Sequence, residues 1–403
     1  MAVLLVLLSP FAAPSTSAAP VDPAVPAPIA LDPGVEAVRV PMVAWSTCSD
    51  VPALIADAIQ AGRDLAACIT AEPGVALPKT TAGGPIPPPS NCGTQGYYTM
   101  TRFWMCGVWL NRLNFIDTRT GAIVGTLEYG VVDYIYSSNT SVNFMHQVQW
   151  DFHAATGVGQ TLPQTISGRA SCTGNCYVNT LDFPSQPATV GRQAYATALN
   201  TTTATTSGAI AHSSATTYYH FTGSNGTSTE GSITAPRIRC DNAMPGTINT
   251  GCAFDQFVPT MQYSRSGSRA QVAAHIQQAQ ASGLPGSASA RSFLHRLTNS
   301  TLTTKNGSTA CGSPPPAPLA PAGSSCDEYP FRSTYEGAYT GGGTARTQAG
   351  CYYVIVNPST GSSGYSICSV NLDQNRNAGA DLGGFYTRNR VINADPFMVE
   401  ITP

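Results

Sequence analysis

Residues 142–154 read VNFMHQVQWDFHA. Val142, Phe144, His146, Val148, Trp150 and Phe152 fall on alternate positions, and the positions between them are mostly polar. A period of two is the signature of a strand with one buried face. His146 lies on the apolar face and His153 on the polar one, which predicts a hydrogen-bonded core histidine and a surface histidine rather than a catalytic pair. Upstream, LNFIDTRTGAIVGTLEY (residues 113–129) reads as a hairpin, with residues 117–121 supplying the turn. Short strands separated by Ser/Thr/Gly turns continue on both sides. The fold expected of residues 92–235 is therefore an all-β, sandwich-like domain.

The whole chain supports this reading. Its 403 residues exceed one average core, so two or more domains are expected. Only 10% of the residues are charged, against 38 Gly and 31 Pro, a profile of strands and turns rather than long helices. The formal net charge of −2 gives no global sign of nucleic-acid binding, but its distribution is uneven. From Arg265 onward ten Lys/Arg face seven Asp/Glu, a local charge of +3, and the remainder is at −5. Such asymmetry can mark the part that meets a polyanion.

The first twenty residues, MAVLLVLLSPFAAPSTSAAP, hold a short apolar run followed by small residues, as in a secretory leader over residues 1–19. The run is too short to span a bilayer, and no integral membrane span is expected elsewhere. Twelve cysteines agree with an exported, extracellular protein. They fall into near neighbours, which predicts Cys48–Cys68, Cys92–Cys106, Cys172–Cys176, Cys240–Cys252, Cys311–Cys326 and Cys351–Cys368. Pro-rich linkers are expected at 20–45 and 81–91, flanking a disulfide-stapled helical segment at 46–80 with Ser49 as its N-cap. The tract ALNTTTATTSGAIAHSSATT (residues 198–217) reads as an edge strand or a mobile loop. IRCDNAMPGTINTGC reads as a disulfide-closed connector within 236–262.

A second, α+β domain is expected over 263–403. SRAQVAAHIQQAQASGLPG (residues 268–286) is helical, with Val272, Ile276 and Ala279 on one face and Gly283 and Pro285 at its end. Strands are expected at GCYYVIVNP (350–358) and DPFMVEI (395–401). Ahead of both stands CDEYPF, residues 326–331, two adjacent carboxylates in a chain poor in charge. Cutting a phosphodiester needs an activated water, neutralised phosphate charge and a stabilised leaving oxygen. Mg²⁺ or Mn²⁺ on oxygen ligands supplies much of this. Asp327, Glu328, Glu336, Asp373 and Asn375 offer such oxygens, Arg332 and Arg376 suit phosphate, and His275 suits a base. In an extended segment Asp327 and Glu328 point to opposite faces, so one of them faces a given site. Asp327 is the expected metal-facing residue, and Glu328 the base or its supporting partner.

The pieces AAHIQQAQASGLPG, RLT…KNGSTAC, SCDEYPFRSTYEGA, QNRNAGADLGGFY and NRVINADPFMVEI, taken in order, resemble the NucA/NucB family of secreted deoxyribonucleases in its actinobacterial form. They cover roughly the last third of the chain, and YTMTRFWMC resembles, more loosely, the domain that often precedes this nuclease. The resemblance implies a metal-dependent endonuclease acting on DNA. It places Asp327, Glu328 and His275 in catalysis and adds Glu336 as a ligand beside Asp327 and Asn375. The family has Glu-Asn or Asp-Asn where this chain has Gln374-Asn375, so one charge is missing at the site and Asp373 is the nearest substitute. That departure favours the rival reading, a weakly active or inactive nuclease-like protein whose β domain attaches to a cell-surface polymer. A toxin effector would use the same chemistry. A Ser-His-Asp hydrolase is disfavoured because no Gly-x-Ser-x-Gly lies in a strand-turn-helix setting.

Overall fold

The computed structural model describes residues 38–42, 45–72, 86–89, 92, 96–247, 249–312, 320–353 and 359–403. The expected leader and most of both linkers lie outside the described residues. The N-terminal region is mostly β-sheet and the C-terminal region is a small α+β unit.

Long antiparallel strands carry the first sheet: Trp104–Asp117, Ile123–Tyr136, Asn143–Gly157 and Gln193–Thr202 stand side by side. The hairpin closes where expected, with Asp117 Oδ1 accepting from the backbone N–H of Arg119 and Thr120 and Gly121 at φ 73°. A second sheet, centred on Gln164–Gly174 and Ile210–Gly223, packs face to face on the first. Trp150, Phe152 and Tyr129 from one sheet meet Tyr219 and Phe221 from the other. Each such ring contributes about 2–3 kcal/mol when fully buried. His146 sits inside this sandwich with Nε2 2.6 Å from Asp133 Oδ1, and Asp133 Oδ2 accepts from Tyr98 O–H at 2.9 Å. It is the hydrogen-bonded core histidine that the alternation predicts.

Helix α1, Val51–Gln60, is capped by Asp50, whose side chain accepts from Ala53 N–H, and not by Ser49. The following strand, Leu65–Glu72, joins the first sheet. The tract at 198–217 is two strand segments, neither at a sheet edge, joined by a loop at 203–209. Its first residues pair on both sides within Gln193–Thr202, and its last pair with Gln164–Gly174 and with Gly231–Thr234. Thr-rich segments suit buried sheet positions as well as edges, so composition alone misplaces them. Within 236–262, Ile238–Asp241 and Gly251–Ala253 extend the second sheet. All six expected cysteine pairs are bonded.

The C-terminal unit contains α2 (Ala270–Ala281), α3 (Ser300–Cys311) and α4 (Leu372–Arg388). Strand Ser324–Tyr329 lies at the edge of a small sheet, beside Tyr365–Asn371 and then Ala345–Arg346. The strand expected at 350–358 is absent from its described part. Cys351 is bonded to Cys368, its carbonyl accepts from Ser369 N–H, and Tyr352 takes φ 62°. The sheet strand is instead Tyr365–Asn371. Strand Pro396–Thr402 pairs in parallel with Thr260–Ser264, and α2, α4 and these strands share one apolar core.

The two regions are joined by buried charge. Asp395 accepts from Arg102 Nη2 at 3.0 Å and from Arg239 Nη1 at 2.7 Å on both oxygens. Arg390, 2% exposed, reaches back to Asp241 Oδ1 at 2.8 Å and to the Asn139 carbonyl at 2.6 Å. Burial, then the charge of Arg239, lowers the Arg102 guanidinium to about 10, so it stays protonated at neutral pH. Removing one partner of such a group leaves an uncompensated buried charge. Asp395→Ala is therefore expected to cost about 3–5 kcal/mol in chemical denaturation. Glu230→Ala, which removes the exposed partner of Arg169, is expected to cost about 1 kcal/mol or less.

Candidate active site

Strand Ser324–Tyr329 alternates, and its two faces meet different neighbours. Asp327 and Tyr329 are buried towards α2, whereas Cys326 and Glu328 turn to α3, where Cys326 is bonded to Cys311. The register against Tyr365–Asn371 runs without a bulge, so the opposition of Asp327 and Glu328 expected from an extended segment is what the fold contains.

On the α2 face, Asp327 Oδ2 lies 2.7 Å from His275 Nδ1, and His275 Nε2 lies 2.9 Å from Ser366 Oγ. An ionised Asp327 accepts from Nδ1–H, since a carboxylate can only accept. The order Asp-His-Ser looks like a hydrolase triad, but Ser366 has no exposed surface and cannot meet a polymer. The chain instead fixes the Asp327 carboxylate, whose side chain keeps 10% exposure. His275 also backs a cleft of about 340 Å³ lined by Gln271, Gln278, Ser324, Tyr352 and Asn371.

Asn371 ends its strand and caps α4, its Oδ1 accepting from Asp373 and Gln374 N–H. One turn on, Asn375 Nδ2 donates to Ser325 Oγ at 3.0 Å and to the Cys326 carbonyl at 2.8 Å, which puts its amide beside the Asp327 strand. Asp373 and Arg376 are exposed on the same first turn. Gln374, the departure from the family pattern, is occupied structurally. Its Oε1 accepts from Gln271 N–H at 2.9 Å, and Gln271 Oε1 accepts from Asn371 N–H at 2.6 Å. The two glutamines thus clamp the N-termini of α2 and α4, and α2 has no side-chain cap from its own N-cap residue, Arg269.

Glu336 is not gathered with Asp327. Its oxygens take the backbone N–H of His295 at 2.9 Å and His295 Nδ1 at 2.7 Å. Among the described residues no group of three or more His, Cys, Asp or Glu is placed to hold a metal ion. Sequence reasoning passed over His295, Ser366 and Asn306, because none stands in a spacing that signals chemistry.

Glu328 is half-buried, and burial, then the charge of Asp327, pushes its pKa up to about 7, with the charge and backbone N–H of Arg332 pulling the other way. Because this value lies above the ordinary 4.5, the folded chain keeps a proton that the unfolded chain releases. Stability is therefore expected to fall as pH rises from about 4.5 through about 7. Glu328→Gln should flatten that fall and be more stable than the parent at pH 8 by about 1–3 kcal/mol, measured by denaturation at several pH values.

No curated protein matches the chain. Residues 286–400 match the family model described as Deoxyribonuclease NucA/NucB. The matched range takes in Asp327, Glu328, Glu336 and Asn375, while His275 on α2 packs onto it from outside. The C-terminal region of this protein is thus a NucA/NucB deoxyribonuclease domain.

Proposed function

We propose that the protein is an exported endonuclease that hydrolyses phosphodiester bonds of DNA with the help of a divalent cation, Mg²⁺ or Mn²⁺. The observation that carries the reading lies inside the family-matched region. Two adjacent carboxylates stand in unlike environments, Asp327 held by a buried imidazole and Glu328 desolvated to a pKa of about 7. A carboxyl group raised towards neutral pH by burial suits general acid/base work. Six disulfides support export, since such pairs persist in oxidising compartments. No helix among the described residues is long and apolar enough to cross a membrane.

The roles follow from the donor chemistry. Glu328, partly ionised near neutral pH, takes the proton of the attacking water, and Arg332 beside it meets the phosphate. Asp327 and the Asn375 amide oxygen, hard donors on adjoining elements, would hold the cation. Glu336 does not fit that set, because His295 engages both of its oxygens. The cation, when bound, would neutralise phosphate charge and lower the pKa of a bound water. His275 positions Asp327. Gln374 serves as a helix cap, which weakens the case that its missing charge disables the site.

Plasmid nicking by the oxidised full-length protein tests the reading. Cutting is expected with Mg²⁺ or Mn²⁺, to be abolished by EDTA, and to fall by about 10²–10⁴-fold in Asp327→Asn and in Glu328→Gln. Folded wild type that cuts with no metal added or supplied, or an Asp327→Asn variant that cuts undiminished, would overturn it.

A further inference from the structure

The face of the C-terminal unit that carries Glu328 has a second feature, built around one buried asparagine. Asn306, on α3, has no exposed surface. Its Nδ2 donates to the carbonyls of Arg332 at 2.9 Å and Thr334 at 3.1 Å. Its Oδ1 accepts from the backbone N–H of Tyr339 at 2.9 Å and Thr340 at 2.8 Å, and from Thr340 Oγ1 at 3.1 Å. One side chain thus ties both ends of residues 332–340. A Cβ on Gly337 would lie 2.4 Å from Asn306 Nδ2, so glycine there is what lets the loop close on its brace.

This rigid loop presents aromatic and cationic groups to solvent. Tyr335 is 38% exposed and Tyr339 49%. Lys305 Nζ stands 4.9 Å from the centroid of the Tyr339 ring, and the exposed Arg332 lays its stem across Gly307 of α3. Glu336 is the acid in this stretch, and His295 draws it to one side through two hydrogen bonds. Exposed tyrosines interleaved with cations are the chemistry of unpaired nucleic acid. Every base has a π face to stack, but in a duplex those faces are already covered. Preordering by Asn306 lowers the cost of holding the rings ready.

We propose that the Asn306-braced loop is a platform for unpaired bases of the DNA substrate, with Tyr335 and Tyr339 stacking on bases and Arg332 and Lys305 meeting the flanking phosphates. The proposal rests on the deoxyribonuclease reading and gives it a strand preference, for single-stranded or locally opened DNA. Fluorescence anisotropy with the full-length Asp327→Asn protein, with EDTA present to silence cutting, separates the two claims. The probes are a labelled 12-nucleotide single strand of mixed sequence and the same strand in a duplex. Adding Tyr335→Ala and Tyr339→Ala is expected to weaken single-strand binding about 10-fold or more. Duplex affinity should change less than about 3-fold, and Tyr335→Phe with Tyr339→Phe should retain single-strand binding. Equal losses on both probes, unchanged single-strand affinity, or no single-strand binding by the Asp327→Asn protein would each overturn the platform. A wild type that cuts no DNA would defeat the nuclease reading and leave this binding result standing by itself.

Discussion

Asp395 and the three arginines around it are the constraint on which the rest of this molecule depends. Arg102 and Arg239 come from the β region, Arg390 and Asp395 from the turn between α4 and the last strand, and Asp241 closes the network. Buried guanidinium groups are costly unless their donors find partners, and here most of the donors do, many of them on carbonyls: Arg102 on those of Phe254, Phe257, Asn389 and Arg390, and Arg390 on those of Asn139 and Asn249. The geometry turns the β region into a brace. It grips the residues that follow α4, whereas a module on a free linker would share few contacts with its neighbour.

That grip matters at the other end of the same helix. α4 starts at Asn371, the last residue of the strand beside Asp327, and its first turn carries Gln374 and Asn375. Gln374 is tied to α2, Asn375 to the Asp327 strand, and α2 supplies His275. The candidate site is therefore defined by how two helices and one edge strand are held, and α4 is held at both ends. On the opposite face the Cys311–Cys326 bond and the Asn306 brace do comparable work for a unit with little room for a large core. One strand with two differently anchored faces lets neighbouring carboxylates acquire different character.

Legibility in the sequence followed the strength of local signals. The 142–154 strand, the hairpin at 117–121, α2 and the six cysteine pairs could be read directly, because period, turn chemistry and spacing are local. α3 could not: Ser300–Cys311 is rich in Thr, Ser, Asn and Gly, poor helix formers, and is held by the Asn299 cap and by packing of Ala310. In the described part of the strand expected at 350–358, residues 350–353, aromatic residues signalled a strand where a disulfide at Cys351 and a left-handed Tyr352 stand instead. For the site, Asp327 and His275 were nominated separately, but nothing in the sequence says that residues 52 positions apart touch. The pairing of Glu336 with His295 was hidden for the same reason, since the two lie 41 residues apart and His295 stands in a two-residue strand.

By itself the sequence determined the kinds of chemistry on offer: an all-β half, an α+β half, an oxidised framework, and adjacent carboxylates in an extended segment facing opposite ways. These follow from backbone periodicity and side-chain type, which are properties of residues and near neighbours. The tertiary structure alone decided that Asp327 meets a buried imidazole, that Glu328 is desolvated, that Gln374 is a cap and that the β region grips the nuclease region. Burial and partner choice are sums over segments far apart in the chain, and only their packing brings those terms together.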